Sequence, residues 1–418
     1  MRIQFCLLCI VLLSCAKPAN KVDPLPWADP TSVKVSPQRL EAIAPAMQTY
    51  VDRGVVSGIT TLVARHGKLV HWESTGFRDL ETQDPLEPND IFRIYSMTKP
   101  VTAVAIMMLV EEGTLAIDGE LSSYLPNFAD VLVYEDGKQV PPEQPVTIRH
   151  LLSHTSGMTY GLFGNTPVDA MYRETNVLST SGDLADLADK VARLPLLAHP
   201  GTVWNYSVSA DILGRVIEVI SGLSFDDFLR ERIFEPLDMQ DTGFFVPPEK
   251  ASRFVTSYTR SSNGSLTVGD PMTESAYDTR PTLLSGSHGL VSTARDFARF
   301  AQMLLNGGEL DGKQLLRPRT VEMMRTNVLP QSLIPIRIGF WQAPGYGFGL
   351  GFSVLTSQEK TPEPDNNGTF RWWGIGSTYF WIDPIDDVVG IVMAQLNPPM
   401  AGRMEQDFQT LVYEALQN

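Results

Sequence analysis

Ser96-Met97-Thr98-Lys99-Pro100-Val101-Thr102-Ala103-Val104-Ala105-Ile106-Met107-Met108-Leu109-Val110 is the stretch that decides how this chain folds. From Val101 to Val110 it is apolar on every face of a helix. A helix with no polar face must be buried all round, between layers of the fold. Pro100 locates its start, because proline is tolerated only in the first turn. The helix therefore begins close to Ser96, and Gly113 suits the left-handed cap that ends it. This places the Ser96 hydroxyl at the positive end of the helix dipole, which favours an alkoxide. Lys99 lies one turn along the same face, with its ammonium near that hydroxyl. Burial of such a helix lowers the lysine pKa toward neutrality, so that it can act as a base. An S-x-x-K spacing is common by chance; its position at the head of an all-apolar helix makes it informative.

The rest of the chain is consistent with a large core. It has 418 residues, 43% hydrophobic and 19% charged. At roughly 150 residues per domain this suggests two or three lobes and excludes a disordered or disulfide-stapled chain. The 33 basic and 48 acidic residues give a formal charge of -15, so nucleic acid and anionic membrane surfaces are poor partners. All 3 cysteines, Cys6, Cys9 and Cys15, fall at the start. Arg2 and the apolar run Ile3 to Leu13 read as a signal peptide over residues 1–14, too short to span a bilayer. Leu12-Leu13-Ser14-Cys15 resembles the bacterial lipoprotein box, which implies lipidation of Cys15 and a lipid anchor on the periplasmic side of a membrane, the outer membrane first. Residues 15–35, with Pro18, Pro24, Pro26 and Pro30, read as a tether.

Ser36-Pro37 opens a helical pattern through Leu40, Ile43, Met47 and Val51, kinked at Pro45 and stopped by Gly54. Ile59 to Ala64 and Leu69 to Trp72 read as strands joined at His66-Gly67. Helical patterns follow at Val146 to Ser153, Leu184 to Leu194, Ser209 to Ile220 and Phe225 to Phe234. Ala294 to Leu305 is another helix. Strands then appear at Gly347 to Val354, Thr378 to Ile382 and Val388 to Ala394, before a closing helix from Glu405 to Leu416. The outline is α+β. It predicts an α/β lobe built from both chain ends (about 36–112 and 285–418) around a mostly helical lobe (about 113–284).

Several chemistries are set aside. There is no G-x-S-x-G elbow. Gly307 to Gln314 ends in Gln314 where a P-loop needs a hydroxyl for magnesium. His150 and His154 share a helix face but have no third ligand nearby, so no metal or other cofactor is implied. The alternating Gly345, Gly347, Gly349 and Gly351 suit a strand that another group approaches closely. Lys360-Thr361-Pro362 lies in a polar run and reads as a loop.

Phe92-Arg93-Ile94-Tyr95-Ser96-Met97-Thr98-Lys99-Pro100 resembles the nucleophile region of the serine β-lactamase and penicillin-binding-protein superfamily, in its class C β-lactamase-like branch with the family VIII esterases. Thr147 to Gly157, Gly289 to Ala294 and Thr378 to Pro384 resemble further signatures of that branch, in the expected order. The resemblance implies a β-lactamase-like fold: an antiparallel sheet flanked by helices, plus a mostly α-helical lobe. It implies an acyl-enzyme on Ser96, with Lys99 and Tyr206 carrying protons and Tyr206 activating the deacylating water. Tyr206 lies in Trp204-Asn205-Tyr206-Ser207-Val208, which matches the family's Y-x-N except that Val208 replaces the amide-binding asparagine. Trp372-Trp373-Gly374 resembles the esterase W-G-G, with Trp373 in place of a small residue. Trp372 would supply an apolar wall where β-lactamases place a cation, and Arg371 would face away. The backbone N–H groups of Ser96 and Ile375 would form the oxyanion hole. His288, in Ser285-Gly286-Ser287-His288-Gly289, reads as a loop histidine near the pocket.

The expected activity is that of an esterase on a small-molecule ester or amide. A β-lactamase or D-amino-acid peptidase, and a lipid-anchored binding or sensor protein, are the alternatives. The oligomeric state is not legible.

Overall fold

The structure, a computed structural model, describes residue 23, residues 25–398 and residues 403–417. Residues 1–14, Cys15 and the first part of the tether lie outside them. The central element is an eight-stranded antiparallel sheet. Its strands are β1 (Gly58–Arg65), β2 (Lys68–Asp79), β3 (Asp84–Pro85), β4 (Tyr346–Phe348), β5 (Ser353–Leu355), β6 (Phe370–Gly374), β7 (Thr378–Asp383) and β8 (Val388–Met393). They run in the order β4-β5-β6-β7-β8-β1-β2-β3. The two ends of the chain therefore meet at β8–β1, where Thr60 faces Met393 and Arg65 faces Val388. His66 and Gly67 both take positive φ, 52° and 67°, as a tight hairpin that follows the strand twist requires.

The helices that frame the sheet and the site are α1 (Ile43–Asp52), α2 (Thr98–Glu111), α3 (Ile148–Leu152), α4 (Leu184–Ala192), α5 (Ser209–Ser221), α6 (Ala294–Leu305) and α7 (Arg403–Ala415). Strand alternation divides the core between the two sheet faces. Trp381, Val388 and Val392 join Ile43, Met47, Phe408 and Val412 under α1 and α7. Phe380, Ile382, Val389 and Ile391 join Phe297 of α6 and the helical lobe on the other side. The α2 helix is buried from Thr98 to Leu109 and lies against α5. In the helical lobe Thr147 caps α3 with a reciprocal capping box, and Gly222 closes α5 at φ 72°. Two small hairpins, Val133–Glu135 with Lys138–Val140 and Ser257–Arg260 with Leu266–Asp270, interrupt this largely helical stretch.

Two expectations about elements are corrected. The opening helix is not kinked at Pro45. It breaks into Pro37–Leu40 and Ile43–Asp52, which puts Pro45 in the first turn of the second piece, where its missing N–H is harmless. Gly347 to Val354 is not one strand but the hairpin β4–β5. Its turn presses on neighbours that leave no room for side chains. A Cβ on Gly349 would lie 2.1 Å from the Met324 carbonyl oxygen, and one on Gly351 2.4 Å from Ala103 Cβ in α2. The glycines thus bring the sheet edge onto the buried helix.

Candidate active site

One 3-10 turn, Tyr95–Met97, carries the chain from the short strand Phe92–Arg93 into α2. Tyr95 sits at φ 43°, a left-handed conformation that strains a side-chain-bearing residue and is held only by its surroundings. The turn presents Ser96 to a cavity of about 570 Å³. Lys99, on the first turn of α2, is 4% exposed. Its Nζ lies 3.3 Å from Ser96 Oγ and donates a hydrogen bond of 2.9 Å to the Ser287 carbonyl. The ring of Tyr206 lies 4.5 Å from the same nitrogen, and that of Tyr160 5.4 Å. Burial brings the Lys99 pKa down to about 7, with the charge of Asp211 opposing the fall. Near neutral pH much of Lys99 is therefore free amine facing the serine.

Tyr206 enters from the loop before α5. It is boxed by His154, Tyr160 and Trp372, with ring centroids at 5.0, 5.4 and 5.5 Å. Asn205 anchors this loop by donating to the Met158 carbonyl at 2.8 Å. Burial raises the phenol pKa, and the Ser96 hydroxyl and Trp372 indole turned toward it only partly offset this. Tyr206 is thus a neutral hydroxyl beside Ser96, suited to accepting one proton as it donates another.

A buried carboxylate organises the other wall. Asp211, in the first turn of α5, accepts from the Ser285 hydroxyl at 2.6 Å, the Ser287 hydroxyl at 2.5 Å and the Ser287 N–H at 3.2 Å. It thereby holds the segment whose Ser287 carbonyl receives Lys99. Sequence reasoning missed Asp211, Tyr160 and Ser287. An acid in a helix's first turn reads as a dipole partner, and nothing local ties residue 211 to residue 287.

The mouth of the cavity is apolar, lined by Leu162, Phe163, Ile338, Trp341, Trp373 and Ile375. The two tryptophans of β6 pack against each other, with ring centroids 4.2 Å apart, but differ in what they reach. Trp372, expected as a substrate wall, is 1% exposed and stands behind Tyr206 against Phe348, while Trp373 lines the cavity and meets Trp341 at 4.3 Å. Of the touching pair, Trp372 is the inner ring against Tyr206 and Trp373 the outer one at the cavity. Gly374 and Ile375 close the wall beside Ser96, and a Cβ on Gly374 would lie 2.4 Å from the Ile94 carbonyl oxygen. Only glycine lets the strand end come so near the turn that carries Ser96. Arg371 faces away from Trp372, donates to the Tyr379 hydroxyl at 2.7 Å and pairs with Glu363. Lys360 sits in the Gln358–Lys360 turn and does not line the cavity. His288 does line it.

The comparisons with known proteins agree with this geometry. Residues 43–414 match the Beta-lactamase family model. The chain is 34% identical over 370 residues to protein Rv1367c of Mycobacterium tuberculosis, spanning 85% of this chain and 90% of that one. It is 30% identical over 372 residues to esterase EstB of Burkholderia gladioli, again 85% of this chain and 90% of the relative. Among solved structures it resembles EstCE1, described as a hydrolase with promiscuous acyltransferase activity. The TM-score is 0.79 at 28% identity, covering 90% of this chain and 99% of that one. The chain belongs to the Beta-lactamase family and has its fold. It is an enzyme, a serine hydrolase with esterases among its relatives.

Proposed function

We propose that Ser96 is the nucleophile of an acyl-enzyme cycle on small, uncharged esters. The observation that carries the reading is the approach of Lys99 Nζ to Ser96 Oγ, beneath a cavity whose mouth is apolar. Ser96 Oγ attacks the ester carbonyl carbon as its proton passes to the Lys99 amine, with the Tyr206 hydroxyl as relay. The carbon–alkoxy bond breaks, and the same proton leaves on the alcohol. The N–H groups of Ser96 and Ile375 face the developing oxyanion. Water then releases the acid.

Two features favour esters over β-lactams or D-alanyl peptides. Val208 has no amide to offer a substrate. Arg371, among the described residues the one lysine or arginine lining the cavity, is engaged by Glu363 and Tyr379. A missing hydrogen bond to a substrate carboxylate forgoes about 1.5–3 kcal/mol. Purified protein should therefore turn over p-nitrophenyl acetate and butyrate at least about tenfold faster than nitrocefin or a D-alanyl-D-alanine peptide. Equal or faster nitrocefin turnover would favour the β-lactamase reading. Failure of a fluorophosphonate probe to label Ser96 would favour the sensor reading.

The address belongs to the same proposal. The protein is exported, acylated on Cys15 and held on the periplasmic side of a membrane, in keeping with a charge that does not favour an anionic surface. Labelled palmitate should enter the wild type and not Cys15→Ala; equal incorporation would remove the anchor.

A further inference from the structure

A ring of apolar side chains stands in water around the opening above Ser96. Of the twelve large apolar side chains exposed among the described residues, five are Leu162, Phe163, Phe340, Trp341 and Ile375. They come from three segments that meet at this opening. The loop after Tyr160 brings Leu162 and Phe163. A hairpin of Arg337–Ile338 with Trp341–Gln342 turns at Gly339-Phe340 and rests its tip beside that loop, where a Cβ on Gly339 would lie 3.8 Å from the Phe163 carbonyl oxygen. The turn after β6 brings Ile375, and Trp341 of the hairpin meets Trp373 of β6 at 4.3 Å. Phe340, at the tip, is fully exposed and does not itself line the cavity. Single exposed apolar residues are ordinary, but a set gathered from three segments marks a surface that something covers.

Charge and position say what covers it. Residues 160–166, 333–346 and 373–379 hold none of the chain's 48 acidic residues, and Arg337 is their one base. The carboxylates that do line the cavity, Glu363 and Glu405, come from other segments and are half-buried, and Glu363 is paired with Arg371. In a chain of formal charge -15, a rim free of acid fits an uncharged partner. The rim is also continuous with the site: the Phe163 ring lies 5.8 Å from that of Tyr206, which faces Lys99. A macromolecule seated on the rim would close the way to Ser96, whereas a phase made of substrate would feed it. We propose that the rim is an adsorption surface for undissolved, uncharged esters, entering the surface of an ester droplet with Phe340 at its tip. The proposal rests on ester hydrolysis at Ser96 and narrows the substrates to apolar esters met at an interface. Adsorption takes the five side chains out of water, and its strength grows with the apolar area buried.

The test compares wild type with Phe340→Asp on tributyrin below and above its solubility limit, and on dissolved p-nitrophenyl acetate. All proteins are the chain from residue 15 with Cys15→Ala, so that neither leader nor acyl chain carries them to the droplet. Both should hydrolyse the dissolved ester at the same rate. The wild-type rate on tributyrin should break upward past the solubility limit, and Phe340→Asp should lack the break. Fully burying one phenylalanine is worth about 10–100-fold in partition, so flotation with the emulsion should fall at least about tenfold in the variant. Flotation is repeated with Ser96→Ala and with Ser96→Ala carrying Phe340→Asp, neither of which should consume the droplet. Smooth saturation of the wild type through the limit, or equal flotation of the two Ser96→Ala proteins, would overturn the proposal. So would a wild-type dimer that Phe340→Asp splits in sedimentation, since a second copy would then be what covers the rim. Turnover that survives in Ser96→Ala would bring down the acyl-enzyme reading alone, because flotation reads adsorption without chemistry.

Discussion

Ser96→Ala is expected to abolish ester hydrolysis and leave the fold standing. Removing the nucleophile of a cooperating set costs on the order of 10⁴–10⁶-fold in kcat, the remainder being what binding and an oxyanion hole supply alone. The structure gives no reason for the variant to unfold. The hydroxyl meets Lys99 at 3.3 Å and turns toward Tyr206, and without it Lys99 keeps its bond to the Ser287 carbonyl. The measurement is kcat/KM on p-nitrophenyl butyrate beside a thermal melt. A variant with wild-type melting and less than about tenfold loss in rate would remove Ser96 from the chemistry.

Lys99→Met should lose activity and gain stability. In the wild type, ester kcat/KM should rise with pH through an inflection near 7, as Lys99 sheds its proton and becomes a base. The Lys99→Met enzyme should lack that inflection and run about 10²–10⁴-fold slower. The stability effect has the opposite sign. Folding lowers the lysine pKa from its ordinary 10.5 to about 7, so between those values the unfolded chain holds a proton that the folded chain does not. Stability of the wild type therefore rises with pH across that window. Below about 7 both states are protonated, and the folded protein carries the full cost of a buried cation. Methionine has similar length and no charge to bury. The variant should melt higher than wild type at pH 6, and the gap should narrow toward pH 10. A lower melting temperature at pH 6 would mean that Lys99 is held by compensating bonds beyond the Ser287 carbonyl.

Much of the site is legible without any knowledge of the fold. The serine–lysine pair needs only helical spacing and a proline to mark the first turn, and both are local. The all-apolar face of α2 announces burial, and burial is what makes the lysine a base. The opening hairpin, α6 and the last strands are likewise written in short-range patterns. The misreadings have a common cause. The periodicity of Gly347 to Val354 looks continuous because the sequence does not reveal that Ala103 occupies the space beside Gly351. The parity of Trp372 and Trp373 can be read, but not which face of β6 lies under the helical lobe. The place of His288 on the cavity wall, beside Ser285, is visible only in the fold.

The sequence by itself determined the family and the meeting of Ser96 with Lys99, because residues a turn apart meet whatever surrounds them. The tertiary structure decided the rest. It brought Tyr206 and Asp211 from one lobe and Ser285 to His288 from the returning chain onto the head of α2. Lys99 and the Ser287 carbonyl that holds it are 188 residues apart in the chain. No local spacing encodes a contact at that range; it exists only because apolar burial closes the two lobes over one helix.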